Sequence, residues 1–239
     1  MSKNPHMPCR VWSRFQSRRP DGSILKLRIQ NAPNDLLEEI IEFNVKYFCP
    51  DETFQKAAGI ASNPEALAEY RRGFIHMAKN WFIVICCNDE SPSVDKILGV
   101  CSVYLEKEKM SFQGNEFQTK EMQTLFKIID EMNKFDKAVK NEFEYFHDGR
   151  GISVHPEYRG LGIAREFFKV RRFLINEQNI PMTCGWMTSY GSQKAAQNDN
   201  WETRAEVNVE EIEQNCGVIF KDNPTTFKFM IATANNGFK

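Results

Sequence analysis

The stretch VHPEYRGLGIAREFF, residues 154–168, decides how this chain is read. It begins at the end of an apolar, β-branched run and stops at His155-Pro156. It then turns into a pattern in which Ile163, Phe167, Val170 and Leu174 recur at helical spacing. Gly160 and Gly162 lie at the join. Glycine loses the most conformational freedom on folding, so a close pair is costly unless bare backbone is needed. The first turn of a helix leaves amide groups without intrahelical partners, and the helix dipole adds partial positive charge there. Two glycines let a ligand approach those amides, and Arg159 and Arg165 flank the turn. This arrangement suits a pyrophosphate; the alternative is a tight strand-to-helix turn with no ligand. The dinucleotide fingerprint G-x-G-x-x-G is broken by Arg165, and no G-x-x-x-x-G-K-[ST] occurs, which argues against a Rossmann dinucleotide site and a P-loop.

Outward from this join, the strand around Gly151 to Val154, a helix of about 18 residues from Gly162 and the strand in PMTCGWMTS form a β-α-β unit over residues 151–189. Such a unit implies parallel pairing. VWSRF and ILKLRIQ are strands joined through Pro20-Asp21-Gly22, a turn signal. Pro33-Asn34-Asp35 opens a helix running to about Phe48, and Asn63-Pro64 opens another ending near Asn80. Residues 49–64 read as a polar connection. WFIVICC and ILGVCSVYLEKE form an antiparallel pair, and KEMQTLFKIIDEMNKFDKAVKN is an amphipathic helix. SQKAAQNDN is a short helix, and TRAEVNV and TTFKFMIAT are the closing strands. A mixed, mostly antiparallel α/β (α+β) sheet with helices on both faces is expected, as a loose tail at 1–10 and one domain over 11–239. The polar connections at 50–63 and 106–118 do not have the look of domain linkers.

Composition narrows the function classes. The chain has 239 residues, with 31 basic against 32 acidic side chains and a net charge of −1, so no basic excess exists to hold nucleic acid. No apolar run reaches the roughly 18 residues of a membrane span, and the N-terminus has no apolar leader, so a cytoplasmic protein is expected. Seven cysteines without a C-x-x-C pair, mostly inside apolar runs, read as buried reduced thiols. His6, His76, His147 and His155 show no metal spacing, and no metal is expected.

Arg159-Gly160-Leu161-Gly162-Ile163-Ala164, following a strand and Val154-His155-Pro156, resembles the acetyl-CoA loop of the GCN5-related N-acetyltransferase (GNAT) superfamily, whose pattern is [QR]-x-x-G-x-[GA]. The flanks are similar to insect arylalkylamine N-acetyltransferase-like proteins: VWSRFQSRRPDGSILKLRIQNAPNDLLEEIIEFNVKYFCPDETF at the start, TSYGSQKAAQNDNWE after the fifth family strand, and NCGVIF and TTFKFMIA near the end. The resemblance covers most of residues 11–234. It implies acetyl transfer from acetyl-CoA to the primary amine of a small arylalkylamine or polyamine in a ternary complex, by a monomer. The alternatives are a peptide or protein acceptor, and a silent acyl-CoA-binding module.

The resemblance also assigns residues. The sheet splays at the acetyl-CoA site, where the backbone of Ile152, Ser153 and Val154 would pair with pantetheine. Loop amides from Arg159 through Gly160, Leu161, Gly162 and Ile163 to Ala164 would hold the pyrophosphate, with Lys194 near the phosphates. The Val154 amide would polarise the thioester carbonyl. An alkylamine is mostly protonated at neutral pH, so a base is required. The family places it on the glutamate of a D-E-P-like segment, here Asp51-Glu52-Thr53, which assigns Glu52 and departs from the family at Thr53. The general acid is assigned to Ser192, with Thr188 and Ser189 beside it and Tyr190 as a rival; Ser192 also reads as an ordinary helix cap. Asn198-Asp199-Asn200-Trp201 departs from the family's Leu-Gly-aromatic run. His155 reads as a residue shaping the strand exit. Cys184 and Cys49 would serve a ping-pong route only if they had a histidine partner, and the sequence gives them none.

Overall fold

A computed structural model describes residues 10–107 and 117–234. The expected loose tail therefore lies outside the described residues except for Arg10, as does most of the 106–118 connection. β1 (Val11–Arg18) and β2 (Ile24–Asn31) form the expected hairpin. Gly22 at its turn has φ 86°, a conformation side chains resist. α1 (Leu37–Phe43) continues into one π-helical turn, Asn44–Phe48. α2 (Thr53–Ala58), α3 (Pro64–Ala78), β3 (Trp81–Asn88), β4 (Gly99–Glu106) and α4 (Lys120–Lys140) follow. β5 (Phe146–Val154), α5 (Ile163–Glu177) and β6 (Met182–Met187) make the β-α-β unit. α6 (Tyr190–Gln197), β7 (Glu202–Asn208), α7 (Val209–Cys216) and β8 (Thr226–Thr233) complete the described chain.

Two helices were not anticipated. α2 occupies the stretch read as a polar connection. Its six residues are too few for a periodic signal, but Phe54 and Ala58 bury one turn apart and Gly59, at φ 80°, ends it. α7 was hidden because Val207 and Val209 continue the alternation of the preceding strand. The chain turns helical where the Asn208 side chain accepts from the Glu210 amide. β5 is also longer than its apolar end suggested, and α5 spans 15 residues.

The eight strands lie in the order β1-β2-β3-β4-β5-β6-β8-β7. All neighbours are antiparallel except β5 and β6, whose parallel contact is confined to His147↔Thr183 and Asp148↔Cys184. Beyond those residues the two strands diverge. α5 packs Ile163, Phe167, Val170 and Leu174 against Leu27, Ile29, Val84 and Cys101 on one face of the sheet. The other face carries the larger core, built from α2, α3, α4 and α7 with Phe227, Val207 and Trp186. Parity along β6 separates the faces. Thr183 bonds Arg171 of α5, whereas the indole of Trp186 donates to Asp136 of α4 at 2.8 Å.

Candidate active site

The loop that opens α5 is built from left-handed backbone. Gly160 and Gly162 have φ of 77° and 80°, and a Cβ at either would meet nothing within 4 Å. The space is therefore open. Glu166 donates its amide to the Gly162 carbonyl and Arg159 to that of Pro156. Among the described residues the amides of 160–165 meet no acceptor. A run of unsatisfied donors at a helix N-terminus is the chemistry a pyrophosphate needs. The Arg159 guanidinium does not lie along this run. It pairs with Asp51 at 2.9 Å and donates from Nε to the Val154 carbonyl at 3.2 Å.

The divergence of β5 and β6 exposes backbone on the inner edge of β5. His155 donates its amide to Leu98, and Val154 stands opposite Gly99. Antiparallel hydrogen-bonded and non-bonded pairs alternate, so the Val154 and Ile152 amides and carbonyls face the gap while those of Ser153 face β4. Of the three residues expected along pantetheine, the alternation thus directs two toward the opening. His155 is buried, caps the turn Pro156–Tyr158 by accepting from the Glu157 amide, and packs against Tyr47. Burial lowers its pKa, and it acts as a shaping residue.

Glu52 stands at the mouth of the same gap. Its carboxylate caps α2: Oε2 accepts from the Phe54 and Gln55 amides, each at 3.0 Å. Oε1 lies 3.4 Å from the Thr188 hydroxyl, which donates to it. The residue as a whole is half-buried, but its carboxyl group is enclosed. Burial raises its pKa, partly offset by the two amide bonds. Thr53 holds the first helical position, where proline is favoured in helices generally, so the departure from D-E-P leaves the helix start intact.

Ser189 and Ser192 form a reciprocal capping box at the start of α6. The Ser192 hydroxyl donates to the Ser189 carbonyl at 3.0 Å and accepts from the Ser189 amide at 3.2 Å. Thr188 directly precedes the box and touches Glu52, whereas no contact links Ser192 to Glu52 among the described residues. Tyr190 and Lys194 are exposed on α6. Trp201 is buried against Phe168, and Asp199 pairs with Arg172 at 2.8 Å, so the unusual Asn198–Trp201 run serves as packing between α5 and α6.

The six described cysteines are all buried and free. Burial pushes the Cys49 thiol up to about 12 and holds Cys184 well above its ordinary value, which works against a thiolate at either position. No cluster of metal-ligating side chains occurs among the described residues.

No protein-family model matches the chain, and no curated protein sequence matches it. Solved structures do. A yellow fever mosquito (Aedes aegypti) protein designated arylalkylamine N-acetyltransferase 7 superposes with TM-score 0.83 at 22% identity, covering 97% of this chain and 98% of its own. This chain has the GNAT fold. Arylalkylamine N-acetyltransferase 2 of the same mosquito gives TM-score 0.72 at 17% identity, over 87% of this chain and 99% of its own. A Drosophila melanogaster polyamine N-acetyltransferase that forms N-acetylagmatine gives 0.65 at 10% identity, over 87% and 99%. The mixed, mostly antiparallel sheet and its helices thus follow a known fold.

Proposed function

We propose that this chain is an acetyl-CoA-dependent N-acetyltransferase for small primary amines, its catalytic domain spanning residues 11–239 and working as a cytoplasmic monomer. The observation that carries this is the conjunction of three parts at one gap in the sheet: open loop amides, the Val154 amide facing the gap and an enclosed Glu52 carboxylate. The names of the fold neighbours, which include arylalkylamine and polyamine N-acetyltransferases, support the same reading.

In this reading the amides of Arg159 to Ala164 hold the pyrophosphate, with Lys194 beside the phosphates. Ile152 and Val154 pair with the pantetheine amides, and Ser153 steadies that edge through β4. The thioester carbonyl lies at the Val154 amide, which supports the negative charge that develops on its oxygen. Glu52, with its affinity for a proton raised by burial, takes the proton of the acceptor ammonium directly or through water. The free amine attacks the carbonyl carbon; a C–N bond forms, the C–S bond breaks, and the thiolate leaves with a proton. In this reading Thr188 relays that proton, and its hydrogen bond to Glu52 supports the role. The acid role assigned to Ser192 requires its hydroxyl to leave the capping box.

The test is release of free CoA from acetyl-CoA with a panel of aryl and aliphatic amines, wild type beside Glu52→Ala, Ser192→Ala and Thr188→Val. Turnover that falls about a hundredfold in Glu52→Ala supports the reading. CoA binding without turnover on any amine overturns it in favour of a binding module or a peptide acceptor.

A further inference from the structure

Resting on that reading, we infer that Arg171 is a positioning residue: it ties α5 to the closed end of the β5–β6 gap, and so keeps the loop that takes the pyrophosphate in register with the slot that takes pantetheine. Arg171 lies on the buried side of α5, about two turns from its start, and is 2% exposed. A guanidinium keeps its charge, so burying one is costly unless its N–H groups find acceptors. Arg171 finds them on β6. Nε and Nη2 donate to the Thr183 hydroxyl at 3.1 and 2.7 Å, and Nη2 also donates to the Cys184 carbonyl at 2.6 Å. Thr183 and Cys184 are the residues through which β6 pairs with β5.

β5 leaves room for the same group. Gly149 follows the last paired residue, and a Cβ there would lie 2.9 Å from Nη1 of Arg171 and 3.1 Å from the Cys184 carbonyl oxygen. Only bare backbone lets the guanidinium lie against β5 at this point. Gly185 stands on β6 at the same level, where a Cβ would sit 3.8 Å from the Gly149 Cα, so the strands are still close. Against the cost of burial, Lys140, Arg150 and Arg171 hold Asp148 ionised, which draws the guanidinium toward β5 as well. The Trp201 ring covers it, 4.8 Å from Cζ to the centroid, and Phe168 packs on that ring. Immediately beyond, Val103 pairs with Gly149 and Ser102 with Gly151, so Arg150 is an extra residue and β5 bends at a bulge. Arg171 is therefore held at the fork, hydrogen-bonded to one strand and in contact with the other.

The consequence concerns a ligand with two anchors. In the proposed function CoA is held by loop amides at the start of α5 and by the backbone edge of β5. Joining two anchors strengthens binding only when the separation of their sites suits the linker. The loop rides on α5, and Ile163, Phe167, Val170 and Leu174 hold that helix to the sheet by apolar packing, which has no direction. The bonds of Arg171 are directional and are made at the fork itself. Without them α5 stays packed, but its loop is no longer registered to the slot.

The test is calorimetric titration of the full chain with CoA and with 3′-phospho-ADP, which keeps the pyrophosphate and lacks pantetheine. Wild type should bind CoA about tenfold or more tighter than the shorter probe. Arg171→Met should lose most of that advantage while the Kd of 3′-phospho-ADP changes less than about threefold. Arg171→Lys keeps the charge without the fork of donors and should recover only part of it. Leu174→Ala weakens the packing of the same helix away from the fork, and should lower the melting temperature with the ratio unchanged. If Arg171→Met fails to fold, Thr183→Val removes the hydroxyl acceptor at nearly constant shape and should cut the ratio about threefold. A ratio that stays within about twofold of wild type in the arginine and threonine variants, or falls equally in Leu174→Ala, overturns the inference while leaving acetyl transfer standing. Wild-type chain that binds no CoA overturns both.

Discussion

The hydroxyl of Thr53 donates to the backbone carbonyl of Thr188 across 3.1 Å, tying the start of α2 to the end of β6. These two segments form opposite sides of the gap, and each contributes to the environment of Glu52. Thr53→Val removes one partly buried hydrogen bond and should cost about 1 kcal/mol in urea unfolding. Thr53→Pro should leave the helix start intact, because the first turn tolerates proline. If both variants unfold at the wild-type midpoint, the tie contributes nothing to stability.

Glu52 gives a pH signature. Its pKa is raised by burial, so the acidic limb of kcat/KM should lie above the ordinary carboxylate range, and Glu52→Gln should remove the limb along with most activity. Stability should show the opposite sign. The unfolded chain gives up this proton more readily than the folded one. Folding therefore loses stability as pH rises from the unfolded value through the raised folded value. Urea unfolding across that window should show a smaller loss for Glu52→Gln than for wild type.

Gly151 should tolerate no side chain. Its φ is 130°, and a Cβ would lie 2.7 Å from the Phe48 ring. Gly151→Ala should destabilise the fold by about 2 kcal/mol or more, combining backbone strain with overpacking. Adding Phe48→Leu should recover the packing part but not the strain. Thermal unfolding of the single and double variants checks this, and full recovery in the double variant would show that backbone conformation is not limiting.

The Arg159–Asp51 pair holds the Arg159 side chain on the Val154 carbonyl, the same edge a pantetheine amide would use. Asp51→Asn should release it and lower the Kd for CoA severalfold, with little change in thermal stability because the pair is exposed. Calorimetric titration with CoA is the measurement; weaker binding in the variant would mean that the pair helps hold the ligand.

The sequence made the β-α-β unit legible because a strong strand, a two-glycine turn and a periodic helix follow one another in residues 151–189. It also pointed to Glu52, through a resemblance rather than through any local pattern. It did not show that Glu52 caps a helix, since α2 is too short to announce itself, and the cap is visible only as two amides on one carboxylate oxygen. The bulge at Arg150 escaped notice for a different reason. A bulge depends on how two strands 46 residues apart, counted from Val103 to Gly149, fall into register, and no local signal in β5 encodes that. Ser192 matched a motif for one role and is held in another by the carbonyl and amide of Ser189.

The divergence of β5 and β6 has a consequence for solubility. Unpaired strand edges usually face outward, where they template association with other chains. Here two such edges face each other inside a continuous sheet, flanked by α5 on one side and the segment around Phe48 on the other. In the proposed function, these inward-facing edges are what would leave hydrogen-bonding backbone for a small ligand.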